Sequence, residues 1–183
     1  MKTIANYIKS VSTAGLIAGI ALAFSGCATP TKSTSMASAK TDFGAKYNES
    51  VSVTVAGGSE TKSSGKSQIS NEALAESIKA SIESSALFAK VLGADAADYR
   101  LHAEIVRVEQ PTMGFNMTVT LEIQWALLRK ADTNPVWQKA ELTTFTATVG
   151  DAFAGVARLR MATEGAAKLN IEQALAEIGQ LKL

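Results

Sequence analysis

The sequence predicts an α+β fold, a two-layer sandwich in which an antiparallel sheet is covered on one face by two helices, in the order β-α-β-β-β-α. Three observations carry this expectation. Phe115, Met117, Val119, Leu121, Ile123, Trp125 and Leu127 share one phase, with Asn116, Thr118, Thr120, Glu122 and Gln124 in the other, the pattern of a half-buried strand. Leu74, Ile78 and Ile82 recur at helical spacing. An alanine-rich stretch from Ala152 to Ile178 carries Phe153, Val156, Leu159, Leu169, Ile171, Leu175 and Ile178, and its small residues suit a helix lying close on a sheet.

The first strand is expected where Val51, Val53 and Val55 alternate with Ser52 and Thr54 and stop at Gly57-Gly58. Residues 59–66 read as a flexible stretch. The first helix begins after Ser70, a suitable N-cap, with Ile69 and Leu74 placed as a hydrophobic staple. Its apolar stripe is expected to extend through Phe88 and Val91 or Leu92 to Gly93. A strand follows where Tyr99, Leu101, Ala103 and Ile105 alternate with Arg100, His102 and Glu104, and the slip to Val106 and Val108 indicates a bulge or an edge shift. Residues 111–114 form a turn, the strand from Phe115 to Leu127 comes next, and Asp132 to Pro135 make another turn. The last strand runs from about Val136 through Leu142 and Phe145 to Val149. Gly165 in the final helix, which costs about 1 kcal/mol relative to alanine, marks close packing or a bend.

The N-terminus has the organisation of an export signal. Lys2 and Lys9 supply a positive segment, Val11 to Phe24 is uncharged and mostly apolar, and Phe24-Ser25-Gly26 precede the single cysteine, Cys27. Ser12, Thr13, Gly15 and Gly19 dilute the apolar run, which falls short of the roughly 20 residues of a spanning helix. A plain signal cut near Ala23 or Gly26 would leave an idle thiol, since one cysteine cannot form an intrachain disulfide. Residues 24–27 resemble the lipobox of bacterial lipoproteins, with Phe24 in place of the usual Leu. That resemblance implies removal of residues 1–26 as a lipoprotein signal peptide, acylation of Cys27 and, because Ala28 rather than Asp follows, sorting to the outer membrane with the protein facing the periplasm. Each buried methylene contributes about 0.8 kcal/mol and stable anchoring takes about two chains, so the three chains of a standard lipoprotein would hold it permanently.

Residues 27–48 read as the acylated cysteine and a flexible linker, rich in Thr, Ser, Ala and Lys and lacking apolar periodicity. Residues 49–183 form the folded domain. The whole chain has 18 Lys plus Arg and 17 Asp plus Glu; without Lys2 and Lys9 the balance is 16 to 17, a net charge of −1. This balance offers no basic stripe for nucleic acid.

Chemistry is sparse. Gly65-Lys66-Ser67 imitates the end of a phosphate-binding loop, but Glu60 stands where that loop needs its first glycine. His102 is the single histidine, which argues against a metal site and leaves one ready base for a catalytic dyad. No cofactor is expected. Arg158, Arg160, Glu164 and Lys168 place charges among alanines, with Arg160 and Glu164 spaced for an i,i+4 ion pair. A partly covered ion pair accounts for them; a partner-docking surface is the alternative. For Trp137, in the phase opposite to Val136, packing under a loop is the first reading, and an interface anchor the alternative if it is exposed.

Cys27, the segment after it and the β-α-β-β-β-α order together resemble the auxiliary lipoproteins of ABC-type transport systems and the lipopolysaccharide-assembly lipoprotein. The segments that carry the resemblance are residues 99–108, residues 115–127, Val136-Trp137 and the run from Glu164 to Ile171. It implies a non-enzymatic, membrane-anchored accessory protein of the Gram-negative envelope, contacting membrane lipid through Cys27 and an envelope transport complex or outer-membrane protein. Two alternatives stand beside it: a lipoprotein activator of peptidoglycan synthesis, and an envelope acyl-chain hydrolase or transferase using His102.

Overall fold

The computed structural model describes residues 27–183, so the leader expected over residues 1–26 lies outside the described residues. The elements are α1 (Ser33–Met36), β1 (Tyr47–Ala56), α2 (Asn71–Ser85), β2 (Phe88–Val91), β3 (Tyr99–Glu109), β4 (Met117–Arg129), β5 (Trp137–Ala147) and α3 (Gly155–Ile178). The five strands form one sheet in the order β2-β1-β3-β4-β5.

The α+β class and the one-sided sheet agree with the sequence pattern, but the sheet is mixed. β3, β4 and β5 form an antiparallel meander, whereas β1 runs parallel to both β2 and β3. Alternation reports that a strand has one covered face; it does not report the direction of its neighbours. The intervening α2 supplies the crossover that a parallel pair requires. A register shift between Ile105 and Arg107 places a bulge in β3 where the phase slips.

The extra strand arises because α2 ends at Ser85, short of the expected Gly93. Ala86 adopts the left-handed conformation at φ 49°, and its N–H bonds back to the carbonyls of Glu83 and Ile82. This satisfies end groups of the helix without a glycine. Leu87 is then fully buried and Phe88 begins β2, its ring tilted between Tyr47 at 5.1 Å and Tyr99 at 6.0 Å. The helix start is as the sequence indicates: the Ser70 hydroxyl accepts the Ala73 N–H at 3.2 Å, and Ile69 and Leu74 are both buried.

One face of the sheet meets α2 and α3. Leu101, Val119, Leu121, Ile123, Trp125 and Leu127 are fully buried under Ile78, Ile82, Ala162, Ala166, Ile171 and Leu175. The alanines of α3 bring its backbone close to β4 and β5. Gly165 serves that close approach: a Cβ there would sit 2.5 Å from the Phe145 ring. Inside the layer, Asn170 is fully buried and fully bonded. Its Oδ1 accepts the Trp125 indole N–H at 2.8 Å, and its Nδ2 donates to the Glu141 carbonyl at 2.8 Å and the Thr143 hydroxyl at 3.2 Å. Thr143 in turn donates to the Ala166 carbonyl at 2.8 Å.

The segment after Cys27 is not the expected flexible linker. It is a strap laid along the seam between α2 and α3, with Met36 0 % and Phe43 4 % exposed. Small hydroxyl residues on α2 admit it: Ser77 donates to the Ser33 carbonyl at 3.0 Å, and Ser81 accepts the Ser38 N–H at 2.9 Å. The Ser38 hydroxyl reaches Glu172 of α3 at 2.9 Å. At its far end Ala45 N–H bonds to the Gly179 carbonyl at 3.0 Å, and a Cβ on Gly179 would lie 1.9 Å from the Phe43 carbonyl oxygen. The helical layer therefore holds three helices rather than two. Composition alone hides this, because the docking uses backbone groups, serines and two isolated apolar residues.

Where the strap ends and β1 begins, Asp98 accepts the Ser50 hydroxyl at 2.6 Å and the Ser50 N–H at 2.8 Å. The hydroxyl first, then the backbone N–H, hold this carboxyl below its ordinary range.

Two expectations follow. Asn170→Leu keeps the number and branching of the side-chain heavy atoms but leaves the Trp125 N–H and the Glu141 carbonyl without their partner, so urea denaturation should show a loss of about 2–4 kcal/mol, partly restored by adding Trp125→Phe. For Asp98 the folded pKa lies below the unfolded one, near 4. Its stabilisation is therefore present above about pH 4 and disappears as pH falls through the folded value. Thermal melts should show a shallower acid limb in Asp98→Asn than in the parent.

Candidate functional site

The antiparallel pairing brings Met117 opposite Ala147, so the β3–β4 turn and the β5–α3 loop stand at one end of the sheet. Because β1 runs parallel to β3, the loop after β1 projects from that end too, and α2 and α3 both begin there. These loops surround a cavity of about 510 Å³ lined by Gly65, Lys66, Met113, Met117, Phe153 and Leu159, among others. The rim is apolar and open to solvent, with Met113 and Phe153 each 82 % exposed, and Phe115 in the same turn as Met113 is 84 % exposed. Phe115, expected on the covered face of β4, instead precedes the strand, and Phe153, expected within the last helix, precedes α3.

Arg158 braces the loops that surround the cavity. It is buried, and its guanidinium donates to the carbonyls of Ala152 and Phe153 in the β5–α3 loop and, at 3.3 Å, to that of Gly114 in the β3–β4 turn. One side chain thus latches the two apolar tips together. Asp151 tightens the same loop by accepting the N–H and hydroxyl of Thr148 at 2.7 and 2.8 Å, and those two bonds lower its pKa.

Cys27 is exposed and lies at this end. The next residue, Ala28, donates its N–H to the Ser63 carbonyl at 3.1 Å, the Thr29 carbonyl accepts the Ser67 hydroxyl at 2.8 Å, and Thr31 donates to the Gln68 carbonyl at 3.0 Å. The loop that holds the first residues of the strap is therefore the loop that contributes Gly65 and Lys66 to the cavity.

The charged candidates of α3 are engaged within the chain. Arg160 and Glu164 form the i,i+4 pair at 3.5 Å, as their spacing indicates. Both also hold the strap: Arg160 donates to the Thr29 hydroxyl at 2.9 Å, and Glu164, almost fully buried, accepts the Lys32 N–H at 2.9 Å. With Arg158 buried as well, this group is not the open docking surface considered from the sequence; the strap lies on it. Trp137 is packed rather than open, for a reason of register. It pairs with Leu127, which puts it on the helix-covered side, half-buried against the core.

His102 sits on the open sheet face, half-buried, with Nδ1 at 2.9 Å from the Thr54 hydroxyl. Farther along the same face Thr118 meets Thr146 at 2.8 Å and Thr120 meets Thr144 at 3.0 Å. Among the described residues, no three His, Cys, Asp or Glu side chains are grouped so as to hold a metal ion. No helix among them is long and apolar enough to cross a membrane.

The sequence matches no protein-family model and no curated protein. The fold is similar to that of XCC0632 from Xanthomonas campestris, of the family DUF330, at 17% identity over 74% of this chain and 89% of that one, with a TM-score of 0.53. It is similar also to CT253 from Chlamydia trachomatis, at 10% identity over 72% and 96% of the two chains, TM-score 0.53. Lipoprotein B from Nitrosomonas europaea aligns at 12% identity over 76% and 88%, TM-score 0.46. At these identities the likeness is one of fold.

The apolar end could have been sought in the sequence. Met113, Phe115 and Phe153 are large apolar residues beside glycine or in turn segments, where burial is hard to arrange. Arg158→Met should unlatch the two tips. Hydrogen exchange is expected to accelerate over residues 112–116 and 150–154, with a stability loss of about 1.5–3 kcal/mol by denaturant titration.

Proposed function

We propose that the protein is a non-enzymatic, lipid-anchored lipoprotein of the Gram-negative envelope that works by contact, as an accessory to lipid or lipopolysaccharide transport. It is held in the outer membrane by acylated Cys27 and faces the periplasm. The observation that carries this reading is the position of Cys27: exposed, preceded by lipobox-like residues, and fixed at the end of the domain that bears an apolar-rimmed cavity. A volume of about 510 Å³ falls within the roughly 300–1,000 Å³ of small-ligand sites. An apolar lining beside a bilayer suits an acyl chain.

Activation of peptidoglycan synthesis is less well supported, because it needs a domain that stands away from its membrane. The strap removes that reach, since residues 28–46 are folded onto α2 and α3. An acyl-chain hydrolase would have to use His102, whose hydrogen-bonded side-chain neighbour is Thr54 on the polar sheet face, away from the cavity.

Metabolic labelling with an alkyne fatty acid, followed by mass spectrometry of the N-terminal peptide, should find Cys27 acylated. Cys27→Ser should lose the label and leave the membrane fraction. Proteins retained on the acylated form in mild detergent would distinguish a transport complex or outer-membrane barrel from a cell-wall synthase.

A further inference from the structure

We infer that the end of the domain bearing Met113, Phe115 and Phe153 is seated in the bilayer surface, with these three side chains below the headgroups. This deepens the reading of Cys27 as the acylated residue and rests on it. A flexible linker would leave the orientation of the domain free. The strap leaves almost no slack: Cys27 is joined to Ala28, whose N–H is bonded to Ser63, two residues from the cavity-lining Gly65. A residue spans at most about 3.6 Å, so acyl chains on Cys27 bring this loop within roughly 10 Å of the hydrocarbon boundary.

The three most exposed large apolar side chains of the domain belong to that same end, at 82 %, 84 % and 82 % for Met113, Phe115 and Phe153. They project from two turns latched to each other by Arg158, so they enter an interface as one rigid unit. Exposed Lys62, on the loop that receives Ala28, stands at the level of lipid phosphates. At the opposite end the β4–β5 turn presents exposed Asp132 and Lys130, a surface with no affinity for hydrocarbon. Anchor and apolar tips specify the same occupant, a lipid bilayer.

The test uses the full acylated protein in vesicles of phosphatidylethanolamine and phosphatidylglycerol. Cys27 is the only cysteine and is blocked when acylated, so Phe115→Cys, Phe153→Cys and, as a control, Asp132→Cys each offer one thiol for an environment-sensitive dye. These positions are exposed, and their replacement leaves the core intact. With brominated lipids, emission from positions 115 and 153 should fall about two-fold or more, as for a probe about 5–10 Å inside the headgroup boundary, while position 132 is unchanged. Dyes that stay water-exposed on a protein shown by mass to be acylated would overturn the inference and leave the anchor standing. Dyes shielded from water yet unaffected by brominated lipid would overturn it in favour of a protein contact. A free Cys27 thiol would overturn both readings.

Discussion

The docking of the strap is the constraint on which the rest depends. Residues 28–46 run along the outer seam of the helical layer, bonded to α2 through Ser77 and Ser81 and to α3 through Glu164 and Glu172. Each bond is modest, about 0.5–1.5 kcal/mol net. Their importance is positional, because they convert a tether into part of the rigid body. Burial of Met36 and Phe43 adds the apolar component, and the Gly179 approach fixes the register at the far end. Once the strap is set, Cys27 has one location relative to the sheet.

That location is supported from within by the Asn170 network. A buried amide is costly unless its groups are paired, and here it joins β4, β5 and α3 in a single set of bonds. Hydrophobic burial alone would let an alanine-rich helix slide on the sheet; the amide sets where it stops. The same register places Gly155 beside Met117 and Arg158 under the β3–β4 turn. The cavity at the Cys27 end thus inherits its shape from a polar contact in the core.

The parts legible in the sequence were those with a period. Alternation over residues 115–127 identified β4 and its buried face, and Leu74, Ile78 and Ile82 identified α2 with its cap. Parallel pairing of β1 was not legible, since a half-buried strand reads the same beside a parallel or an antiparallel neighbour. The strap was not legible because Met36 and Phe43 stand alone among Ser, Thr and Lys, with no repeat to distinguish docking from disorder. For Trp137 the phase relative to Val136 left packing and exposure both open, whereas the register with Leu127 decides its side. For the site, the Arg160–Glu164 pair was visible locally. The apolar end was not, because it assembles from turns at residues 111–116, 148–154 and 59–66 that only the topology brings together.

On the proposed seating, the end that bears Cys27 also defines a free one. β4 has 13 residues, and at about 3.4 Å per residue the sheet extends roughly 40 Å. A domain seated by Phe115 and Phe153 therefore carries its β4–β5 turn some 40 Å into the aqueous space, with the threonine-rich sheet face directed sideways. In that seating a partner embedded in the same membrane would meet that face and the cavity end, and one arriving from solution would meet the Asp132 turn. The strap would then decide which partner finds which surface, because it fixes where Cys27 sits relative to the sheet.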